Sequence, residues 1–556
     1  MIKIDSLKIS AKKNIDISAF VSEKYKISGK IQDFSILKKS IDARDKADIK
    51  YIYSICLKTD EKEESRLVKK YNNIEKYKKN IYSIPSINDT KKGTKCVIVG
   101  MGPAGLFCAL TLIKAGVSVV LIERGKRVEE RIKDVYDYWD NGNLNVNSNV
   151  QFGEGGAGTF SDGKLNTGIK DKEGRKDFVL NTFVEYGANG NIIYDSKPHI
   201  GTDVLRNVIH NMREDLIKRG AEILFSKEFI SFTKEKDNIE VSIKDTENCK
   251  TDILKCDNLI LAIGHSARDT FEYLSNVLSM ESKPFAMGFR VIHKQEFINK
   301  SQYGEDYADI YETLEPSPYK LTYQGKDRGV YTFCMCPGGY VVNASSEEGR
   351  ICVNGMSDQK RDSSFANSAV IVQIKSEDMD SADCLFGMRL QRQIEENTYK
   401  VGEGCIPVSF ISDFLKNSSY KTEIDFSDKD FDLFNGIKGK YKEKDISGIF
   451  PEYINKSFFE AMVAYDKIIR DYTKVNPLIA ASECRSSSPV KILRDENYES
   501  SIKGIYPCGE GAGYAGGIVS AAIDGMKVAE AVIKKYIYFI IKIDNIIDID
   551  YSVLGF

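Results

Sequence analysis

The chain has 556 residues, enough for three or four domains at about 150 residues each. Apolar residues make up 42% of the chain and charged residues 29%, which is typical of a globular protein with a sizeable core. The 79 basic and 81 acidic side chains give a net charge of −2, so no overall positive field favours binding to nucleic acid or to an anionic membrane.

Twelve cysteines are spread along the chain, and none of them forms a CxxC pair. The two nearest are Cys334 and Cys336. Zinc and iron–sulfur sites need tighter clusters, so we predict no metal site and reduced thiols. The N-terminus, from Met1 to Asp5, has no apolar signal-peptide core, and no run of about 18 uncharged apolar residues occurs. We therefore expect a cytoplasmic protein that does not span a membrane.

Residues 1–88 are predicted to form a small separate α+β module. Alternating apolar residues and runs of β-branched and aromatic residues predict strands, and apolar residues at helical spacing predict helices. The predicted elements are, in chain order, a strand over 2–9, helices over 17–25 and 34–43, a strand over 49–58, and a charged helix with a linker over 62–79. The module is therefore predicted to be β-α-α-β.

From residue 95 onwards, short apolar strands alternate with helical patterns, which predicts a doubly wound α/β sheet. The predicted elements are strands over 96–99, 117–122, 221–225 and 259–263, a helix over 203–219, and, near the C-terminus, a strand over 502–507 and a helix over 516–535.

Between these two parts, residues 285–355 are predicted to be mostly β, and residues 386–475 to be mixed and more helical. The predicted strands of the β-rich part are 288–292, 329–334, 340–344 and 349–354. The sheet that binds the nucleotide is therefore expected to be interrupted by a second, β-rich domain.

The strongest signal for a ligand is Gly100-Met-Gly-Pro-Ala-Gly105. It follows a predicted strand and opens a predicted helix, and a second strand ends in Glu123, 18 residues beyond Gly105. In a dinucleotide-binding βαβ unit these glycines permit the turn, the approach of pyrophosphate, and close packing of helix on strand. The helix N-terminus attracts phosphate, and a carboxylate at Glu123 accepts hydrogen bonds from both ribose hydroxyls and repels a 2′-phosphate. We therefore predict a Rossmann-type dinucleotide site that does not take NADP.

The glycine-rich segment near the C-terminus favours FAD over NAD. Tyr506-Pro-Cys-Gly-Glu-Gly-Ala-Gly513 ends a predicted strand, and Gly516-Gly517-Ile518 opens a helix. This arrangement resembles FAD proteins in which a late strand ends in Gly-Asp beside the ribityl chain, with Glu510 here in place of the Asp. The positive end of the helix would face the flavin pyrimidine ring and stabilise reduced flavin.

A third glycine-rich segment runs from Gln151 to Lys164. Five glycines between Gly153 and Gly163 predict backbone that lies against a flat ligand or a phosphate. In FAD-dependent disulfide reductases the corresponding segment carries a redox-active cysteine pair. This sequence has no cysteine there, which argues against a disulfide reductase.

Several polar residues lie where ligands of open α/β sheets bind. Leu259 to Gly264 resembles the later strand that ends in Ala-x-Gly near the nucleotide, and His265 and Arg268 follow it directly. We predict His265, His199 and Arg268 as catalytic candidates, although a loop histidine is more often a structural hydrogen-bonding group. Arg485, in a polar turn before the last strand, could pair with phosphate or hold reduced flavin, or simply cap the turn.

These motifs together resemble one family, the uncharacterised FAD-dependent dehydrogenases, also called NAD(FAD)-utilising dehydrogenases. The resemblance is carried by VIVGMGPAGLFCALTL, LIERGKRVEER, NVQFGEGGAGTFSDGKL, KPHIGTD, AIGHSARDTF, NGMS and YPCGEGAGYAGGIVSAAIDGM, and in the N-terminal module by SIDARDKADIKYIYSI. It covers most of residues 1–535. It implies bound FAD and an oxidoreductase, but it supplies no substrate.

We therefore predict an α/β protein with a Rossmann-type FAD-binding domain, an inserted β-rich substrate domain and a small N-terminal α+β domain. The predicted boundaries are 1–88 for the N-terminal module, 89–284 and 476–536 for the two parts of the FAD-binding domain, 285–475 for the inserted domain, and 537–556 for a tail. The residues predicted to bind FAD are Gly100, Gly102, Pro103, Ala104, Gly105, Glu123, Arg124, Arg131, Gly153, Gly155, Gly156, Gly158, Thr159, Ala262, Gly264, Arg485, Gly509, Glu510, Gly516, Gly517 and Ile518.

The first functional hypothesis is an FAD-dependent dehydrogenase or reductase that passes hydride between FAD and an unidentified small-molecule substrate. NAD(P)H, if it is used, would bind only transiently as an electron donor. Arg290, Arg350 and Arg361 could hold an anionic substrate, although exposed arginines are usually solvated. The sequence leaves the oligomeric state open.

Two other hypotheses stay open. One is a flavoprotein in which FAD is structural or serves RNA modification, but Lys12–Lys13 and Lys38–Lys39 are only weak basic pairs, so no nucleic-acid partner is expected. The other is a plain NAD-dependent dehydrogenase that uses Gly100–Gly105 alone, which leaves the segment from Tyr506 unexplained.

Overall fold

We describe the protein from a computed structural model of the chain. The structure describes residues 1–550 apart from 13, 86–93, 237, 312, 381, 417–419 and 421, with side chains described up to residue 536. Lys13, the predicted boundary between residues 88 and 89, and residues 551–556 of the predicted tail lie outside the described residues.

The N-terminal elements form a four-stranded antiparallel sheet that packs against two helices. Its strand order is β2-β3-β1-β4, the split βαβ arrangement of ferredoxin-like domains. Ile4, Ile55 and Leu67 lie in its core. The elements are β1 (Ile2–Ser10), α1 (Ile17–Tyr25), β2 (Asp33–Asp42), β3 (Lys50–Lys58), α2 (Glu61–Lys70) and β4 (Ile74–Lys76).

The prediction of a helix over 34–43 was wrong, because this segment is strand β2. Apolar side chains at 34, 37 and 41 fit a helical spacing, so the local pattern is ambiguous. Pairing decides the outcome: β2 runs antiparallel to β3, with Ser35 opposite Cys56 and Ile41 opposite Tyr51. Tertiary pairing overrides a weak local preference of this kind.

The next part of the chain builds a parallel sheet with an antiparallel hairpin layer beside it. Its elements are β5 (Lys95–Val99), α3 (Pro103–Lys114), β6 (Ser118–Ile122), α4 (Val128–Asn141), α5 (Arg175–Glu185), α6 (Thr202–Lys218), β7 (Glu222–Leu224), β8 (Lys227–Glu235), β9 (Asn238–Asp245), β10 (Thr251–Cys256), β11 (Asn258–Leu261), α7 (Arg268–Leu274) and β12 (Met280–Ser282).

The rest of the chain builds a larger mixed sheet with helices and then returns to the parallel sheet. Its elements are β13 (Phe285–Lys294), α8 (Gln295–Tyr303), α9 (Tyr307–Ile310), β14 (Thr322–Gln324), β15 (Gly329–Cys336), β16 (Tyr340–Asn343), β17 (Val353–Met356), β18 (Phe365–Ile374), α10 (Phe386–Gly402), β19 (Ile406–Phe410), α11 (Ile411–Lys416), β20 (Ile437–Lys438), β21 (Tyr441–Glu443), α12 (Glu452–Tyr465), β22 (Leu478–Glu483), β23 (Val490–Ile492), β24 (Ile505–Pro507) and α13 (Ile518–Asp550).

The parallel sheet has five strands in the order β24-β11-β5-β6-β7. It is buried on both faces. Ile98 and Leu121 face a core with α3, α6 and α13, whereas Val97 and Val120 face a core with the β8–β10 hairpins. Burial on both faces explains why these strands are continuously apolar in sequence. Strand β24 pairs with β11, so a late segment of the chain completes a sheet begun at β5.

The larger sheet has seven strands in the order β14-β15-β18-β13-β22-β19-β21. Phe289 on its central strand packs against Phe458 of α12 in the main core of this part. The predicted strand over 349–354 is displaced, because β17 covers Val353–Met356. Gly349, with a φ of +68°, instead forms a turn before it.

Helices α3 and α13 approach so closely that only glycine fits at residue 525. An added Cβ at Gly525 would lie 2.1 Å from the backbone oxygen of Ala104. We expect Gly525→Ala to lower the free energy of unfolding by about 1–3 kcal/mol, despite the better helix propensity of Ala. Urea unfolding measures the effect. Gly168→Ala, at an exposed position with open space around it, is the control, and an equal effect in both variants would contradict the close approach.

We expect the free energy of unfolding to fall in acid because of the buried His293. It is buried on β13, its Nε2–H donates to the carbonyl of Tyr472 at 2.8 Å, and burial lowers its pKa to about 4. Because the unfolded chain binds a proton near pH 6.5 and the folded chain does not, this contribution is present at pH 7 and lost as the pH falls towards 4. Between pH 7 and pH 5 the wild type should lose about 2 kcal/mol more unfolding free energy than His293→Gln. Equal losses in the two proteins would contradict the assignment.

Candidate functional site

A cavity of about 400 Å³ is lined by residues of the parallel sheet and of the seven-stranded sheet, together with the loops that follow their strands. This volume is within the range of small-molecule sites. The walls come mainly from the turn after β5 (99–104), the end of β6 (122–124), the glycine-rich segment (151, 152, 156–158 and 161–164), the segment after β11 (262–267), β15 (333 and 334), β17 (354 and 355), the end of β22 and the turn after it (483, 485 and 486), Glu510, and the start of α13 (516–518 and 521).

The turn from Gly100 to Gly105 is built by backbone contacts that exclude side chains. Gly100 has a φ of +98°, and an added Cβ there would lie 2.4 Å from the carbonyl oxygen of Ala262. An added Cβ at Gly105 would lie 2.0 Å from the oxygen of Gly100. Gly105 therefore lies behind the cavity as a packing residue, whereas Gly100, Gly102, Pro103 and Ala104 line it.

Gly102 has a different environment, because it faces open space. The atom nearest to an added Cβ there is Gly156 Cα, 3.9 Å away. Gly102 is also the N-cap of α3, and no side chain caps that helix end. Free backbone N–H groups and the positive end of the helix dipole are therefore offered to the cavity, as a pyrophosphate requires.

Glu123 is held by backbone donors at the end of β6. Its carboxylate accepts hydrogen bonds from the backbone N–H groups of Met101, Gly125 and Gly153, each at 2.9 Å. A carboxylate offers about four acceptor positions, so one is left for a ribose hydroxyl rather than the two that we expected. The three bonds also fix the phosphate turn and the glycine-rich segment relative to each other.

Arg124 lies beside Glu123 on the cavity wall. Its guanidinium stacks over the ring of Phe152 and pairs with Asp269 at 2.6 Å and with Glu228 at 3.1 Å. These acidic partners neutralise the charge of Arg124, so it offers the cavity a flat surface more than a free cation.

Arg131 does not line the cavity. It is fully buried and donates hydrogen bonds to the carbonyl oxygens of Asn149, Val150, Glu154 and Gly156, at 2.7–3.0 Å. Its long side chain therefore clamps the glycine-rich segment from behind.

The glycine-rich segment divides into two sets of residues. Gly156 and Gly158 line the cavity, whereas Gly153, Gly155 and Thr159 lie behind it. An added Cβ at Gly153 would lie 2.3 Å from the Arg131 side chain, and one at Gly155 would lie 2.2 Å from Thr159 Oγ1. Close packing inside the segment, not a ligand, therefore requires glycine at residues 153 and 155.

The segment after β11 brings His265 to the cavity beside Glu510. The imidazole Nδ1 lies 3.1 Å from Glu510 Oε1. The other ring nitrogen, Nε2, is buried and has no hydrogen-bond partner among the described residues. Ala262 and Gly264 line the same wall. A histidine that is oriented through one nitrogen and unpaired at the other is suited to hold or move a proton.

The C-terminal glycine-rich segment reaches the cavity through Glu510 and the start of α13. Gly516, Gly517 and Ile518 line it, and an added Cβ at Gly516 would meet no atom within 4 Å. Gly509 lies behind the wall, where its N–H donates to Asp524 at 2.7 Å. The positive end of a long helix is thereby brought to the cavity.

Arg485 lines the cavity but is fully engaged. Its guanidinium makes a bidentate pair with Glu395 at 2.8 Å, and it also donates to Ser346 at 2.6 Å and Ser266 at 3.2 Å. Arg268 makes a second bidentate pair with the same carboxylate at 2.7 Å. Burial opposes ionisation of Glu395, but the two guanidinium groups outweigh it and hold the pKa of Glu395 well below its ordinary value.

Two of the predicted catalytic residues lie away from the cavity. Arg268 is buried in the pair with Glu395 and also contacts Glu347 at 2.6 Å. His199 is held between the carbonyl oxygens of Asp162 and Gln359, at 3.1 Å from each ring nitrogen. Structural hydrogen bonds and ion pairs therefore account for the positions of Arg268 and His199. Of the three predicted catalytic residues, His265 alone lines the cavity.

Other polar residues that we did not predict as site residues also line the cavity, among them Asp162, Lys164, Asn354 and Glu483. Asp162 and Lys164 end the glycine-rich segment, and their charges inside a run of small residues were a usable signal. Asn354 and Glu483 come from β17 and β22. Asn354 begins the NGMS motif, but that motif does not indicate a place in the cavity, because only the folded sheet brings Asn354 and Glu483 there.

The residues present fit FAD. The phosphate turn is uncapped and open at Gly102, Glu123 keeps one free acceptor position, and the start of α13 is open at Gly516.

Among the residues that the structure describes, no cluster of three or more His, Cys, Asp or Glu side chains could hold a metal ion. Over the same residues, no helix is both long enough and apolar enough to cross a membrane.

Comparison with known proteins identifies the class. A family described as an FAD-binding domain matches residues 93–133, and one described as an FAD-dependent protein, C-terminal domain-like, matches residues 284–486. A domain of unknown function matches residues 1–57. The chain is therefore an FAD-binding protein with a mixed α/β fold, and FAD is its cofactor. It belongs to the same family as an uncharacterized protein of Clostridium beijerinckii, which is 41% identical over 515 residues, or 91% of this chain and 93% of that protein.

Solved structures are similar at low identity. CtdE in complex with FAD is 12% identical, with a TM-score of 0.31 over 79% of this chain and 84% of that chain. A flavoprotein/dehydrogenase from Cytophaga hutchinsonii is 11% identical, with a TM-score of 0.31 over 80% of this chain and 78% of that chain.

Removing the charge of Glu395 should destabilise the protein strongly. Glu395→Gln leaves Arg268 and Arg485 with the carboxylate of Glu347, which Arg350 and Arg392 also contact, so two buried guanidinium groups lose their bidentate partner. We expect a loss of about 3–5 kcal/mol in unfolding free energy and a lower FAD content. Urea unfolding and the flavin absorbance of the purified protein measure the two effects. Glu396→Gln, at the next residue in the half-exposed pair with Arg350, is the matched control and should cost less than about 1 kcal/mol. Similar losses in both variants would contradict the role of Glu395.

Proposed function

We propose that the protein is an FAD-dependent oxidoreductase of the dehydrogenase or reductase kind, acting on a small-molecule substrate. One observation carries the proposal: a single cavity is lined by the turn Gly100–Ala104 with Glu123 and also by Lys164, His265, Glu483 and Glu510. A dinucleotide on the turn and a substrate beside these ionisable groups would share one space. Bound FAD would supply the redox chemistry, while the protein orients the reactants and excludes water.

The proposal assigns different tasks to the parts of the chain. The parallel sheet with the turn after β5 is a Rossmann-type FAD-binding domain, formed by residues 89–284 and 476–536. Residues 285–475 form the substrate domain, which adds β15 and β17 to the cavity wall. The N-terminal module, residues 1–88, adds no residue to that wall among those described, and we assign it no part in the chemistry.

His265 and Glu510 are the proposed acid and base pair. Glu510 orients the imidazole through Nδ1, which leaves Nε2 to hold or move a proton. The start of α13, at Gly516 and Gly517, adds the positive end of a helix dipole to the same wall. This partial charge favours negative charge that develops nearby during the reaction.

NADH or NADPH is proposed as a transient electron donor. The alternative, a structural or RNA-modifying role for FAD, has one observation in its favour. Residues 1–88 carry 20 basic and 12 acidic side chains, and ion pairs such as Arg44 with Asp42 and Lys50 with Asp48 engage only some of the basic ones. The oxidoreductase proposal rests instead on the cavity, to which this module adds no described residue.

Anaerobic reduction tests the proposal. FAD-loaded protein mixed with NADH or NADPH should lose its visible flavin bands, and an added electron acceptor should restore them. If neither nucleotide reduces the flavin, and neither does a panel of small hydroxy acids, alcohols and amines, while dithionite does, the oxidoreductase proposal is contradicted.

His265→Gln tests the acid and base pair. We expect the rate of reduction to fall by about a hundredfold or more with FAD content unchanged, because general acid–base catalysis of this kind contributes that much. His210→Gln is the matched control, since His210 is exposed and pairs with Glu129 on the surface. Equal rates for wild type and His265→Gln would remove His265 from the mechanism.

A further inference from the structure

We infer that Lys164, together with the side-chain amide of Asn354, binds a carboxylate group of the substrate. This inference rests on the proposed oxidoreductase function and names the class of substrate that it acts on. It follows from the balance between the positively charged side chains of the cavity wall and their acidic partners.

Most cations on the cavity wall have acidic partners of their own. Arg124 pairs with Asp269 and Glu228, and Lys227 pairs with Asp245 at 2.9 Å. Arg485 and Arg268 share two carboxylates, those of Glu395 and Glu347. Arg290, buried behind the wall, pairs with Glu483 at 2.8 Å. None of these side chains is left with an unbalanced positive charge to offer a ligand.

Lys164 is different, because it belongs to a cluster with one carboxylate for two cations. Its Nζ lies 2.5 Å from Asp162 Oδ2, but Arg361 donates to the same oxygen at 2.9 Å. Burial opposes ionisation of Asp162, yet the two cations lower its pKa to about 2, so it carries one negative charge against two positive charges. The cluster of Asp162, Lys164 and Arg361 therefore has a net charge of +1, and Lys164 is the member that lines the cavity with Asp162.

The thiols beside Lys164 do not supply the missing negative charge. Cys336 Sγ lies 3.8 Å from Lys164 Nζ, and Cys334 lines the cavity. Burial raises the pKa of Cys336 and raises that of Cys334 to about 12, so both thiols stay neutral. Burial would lower the pKa of Lys164, but Asp162 raises it, so Lys164 is charged. Lys164 is only half-buried, but its counter-ion Asp162 is buried, so the unbalanced charge is still costly and an anion in the cavity would relieve the cost.

Asn354 provides a second donor in the same neighbourhood. Its Oδ1 accepts from Arg290 at 3.3 Å and from the Gly355 N–H at 2.7 Å. Its Nδ2 has no partner among the described residues, so it is free to donate to a ligand. Arg290 connects the two donors, because it donates to Asn354 Oδ1 at 3.3 Å and lies 4.0 Å from the Cys336 sulfur. The same sulfur lies 3.8 Å from Lys164 Nζ, so Lys164 and Asn354 border one part of the wall.

One net positive charge and one neutral amide suit a carboxylate better than a phosphate. A carboxylate carries one charge on two oxygens, which matches these two donors. A phosphate dianion would require more donors and, as a rule, the planar fork of an arginine. The three arginines first considered for an anion, Arg290, Arg350 and Arg361, are each paired with a carboxylate of the protein.

Ligand titration of the FAD-loaded protein tests the inference. Straight-chain monocarboxylates, from acetate to hexanoate, and the matching amides are added at constant ionic strength, and the visible spectrum and thermal-unfolding midpoint are recorded. We expect saturable binding of carboxylates and none of the amides. Lys164→Gln should weaken carboxylate binding by about ten- to a hundredfold with FAD content unchanged, and Lys164→Arg should restore most of it. Asn354→Leu should weaken it less.

Lys294→Gln is the matched control, since Lys294 has similar exposure but pairs with Asp430 and Asp432 away from the cavity. Four results would overturn the inference: amides binding as well as carboxylates, unchanged binding in Lys164→Gln, tighter binding of inorganic phosphate, or loss of FAD from Lys164→Gln. Failure of this titration leaves reduction by NADH or NADPH intact. Failure of reduction, with carboxylates still bound through Lys164, would instead contradict the proposed function alone.

Discussion

The buried carboxylate of Glu395 is the contact on which the shape of the cavity depends. It lies on α10, in the β-rich part of the chain, and holds Arg268 after β11 and Arg485 after β22 through two bidentate pairs. Three charged groups are thus buried where the two large sheets contribute to one wall. A buried carboxylate with two guanidinium partners is stable only with good geometry and full hydrogen bonding, so the arrangement fixes these segments relative to one another. Arg485 also donates to Ser266, beside His265, which ties the proposed acid and base pair to the same frame.

Around this frame, the cavity is lined by charges that are mostly balanced from behind. Arg124 and Arg485 have buried or half-buried acidic partners, and Glu123 accepts three hydrogen bonds from backbone N–H groups, which leaves it one acceptor position. Such groups position the walls but have few hydrogen-bonding positions and little net charge left for a ligand. Among the described residues, groups that can still bind a ligand lie mainly in a few places: the open helix N-termini at Gly102 and Gly516, the unpaired Nε2 of His265, and the surplus charge at Lys164. A dinucleotide matches the first two of these places, and an acidic substrate matches the others.

The sequence predicts the parts of this arrangement that depend on local pattern. The phosphate turn after β5 and the start of α13 follow from glycines between a strand and a helix, a combination that is typical of dinucleotide sites. Prediction from sequence fails where contacts between residues far apart in the chain determine the structure. The helix predicted over 34–43 is a strand because β3 lies beside it, and Arg131 and Gly153 pack against each other instead of lining the cavity. No local pattern predicts the contacts of Glu395, Asn354 and Glu483, because these contacts form only when β17, β22 and α10 are brought to the parallel sheet.

The central claim is that FAD binds on the turn at Gly102. Calorimetric titration of FAD into FAD-free protein, for the wild type and Gly102→Ala, tests it most directly. An added Cβ at Gly102 would lie 3.9 Å from the nearest protein atom, so the variant should fold with a loss of less than about 1 kcal/mol. The same methyl group would occupy the space of the pyrophosphate. We predict one FAD per wild-type chain and binding at least about tenfold weaker in the variant. Unchanged affinity in Gly102→Ala, or no binding of FAD to the wild type, would contradict the account.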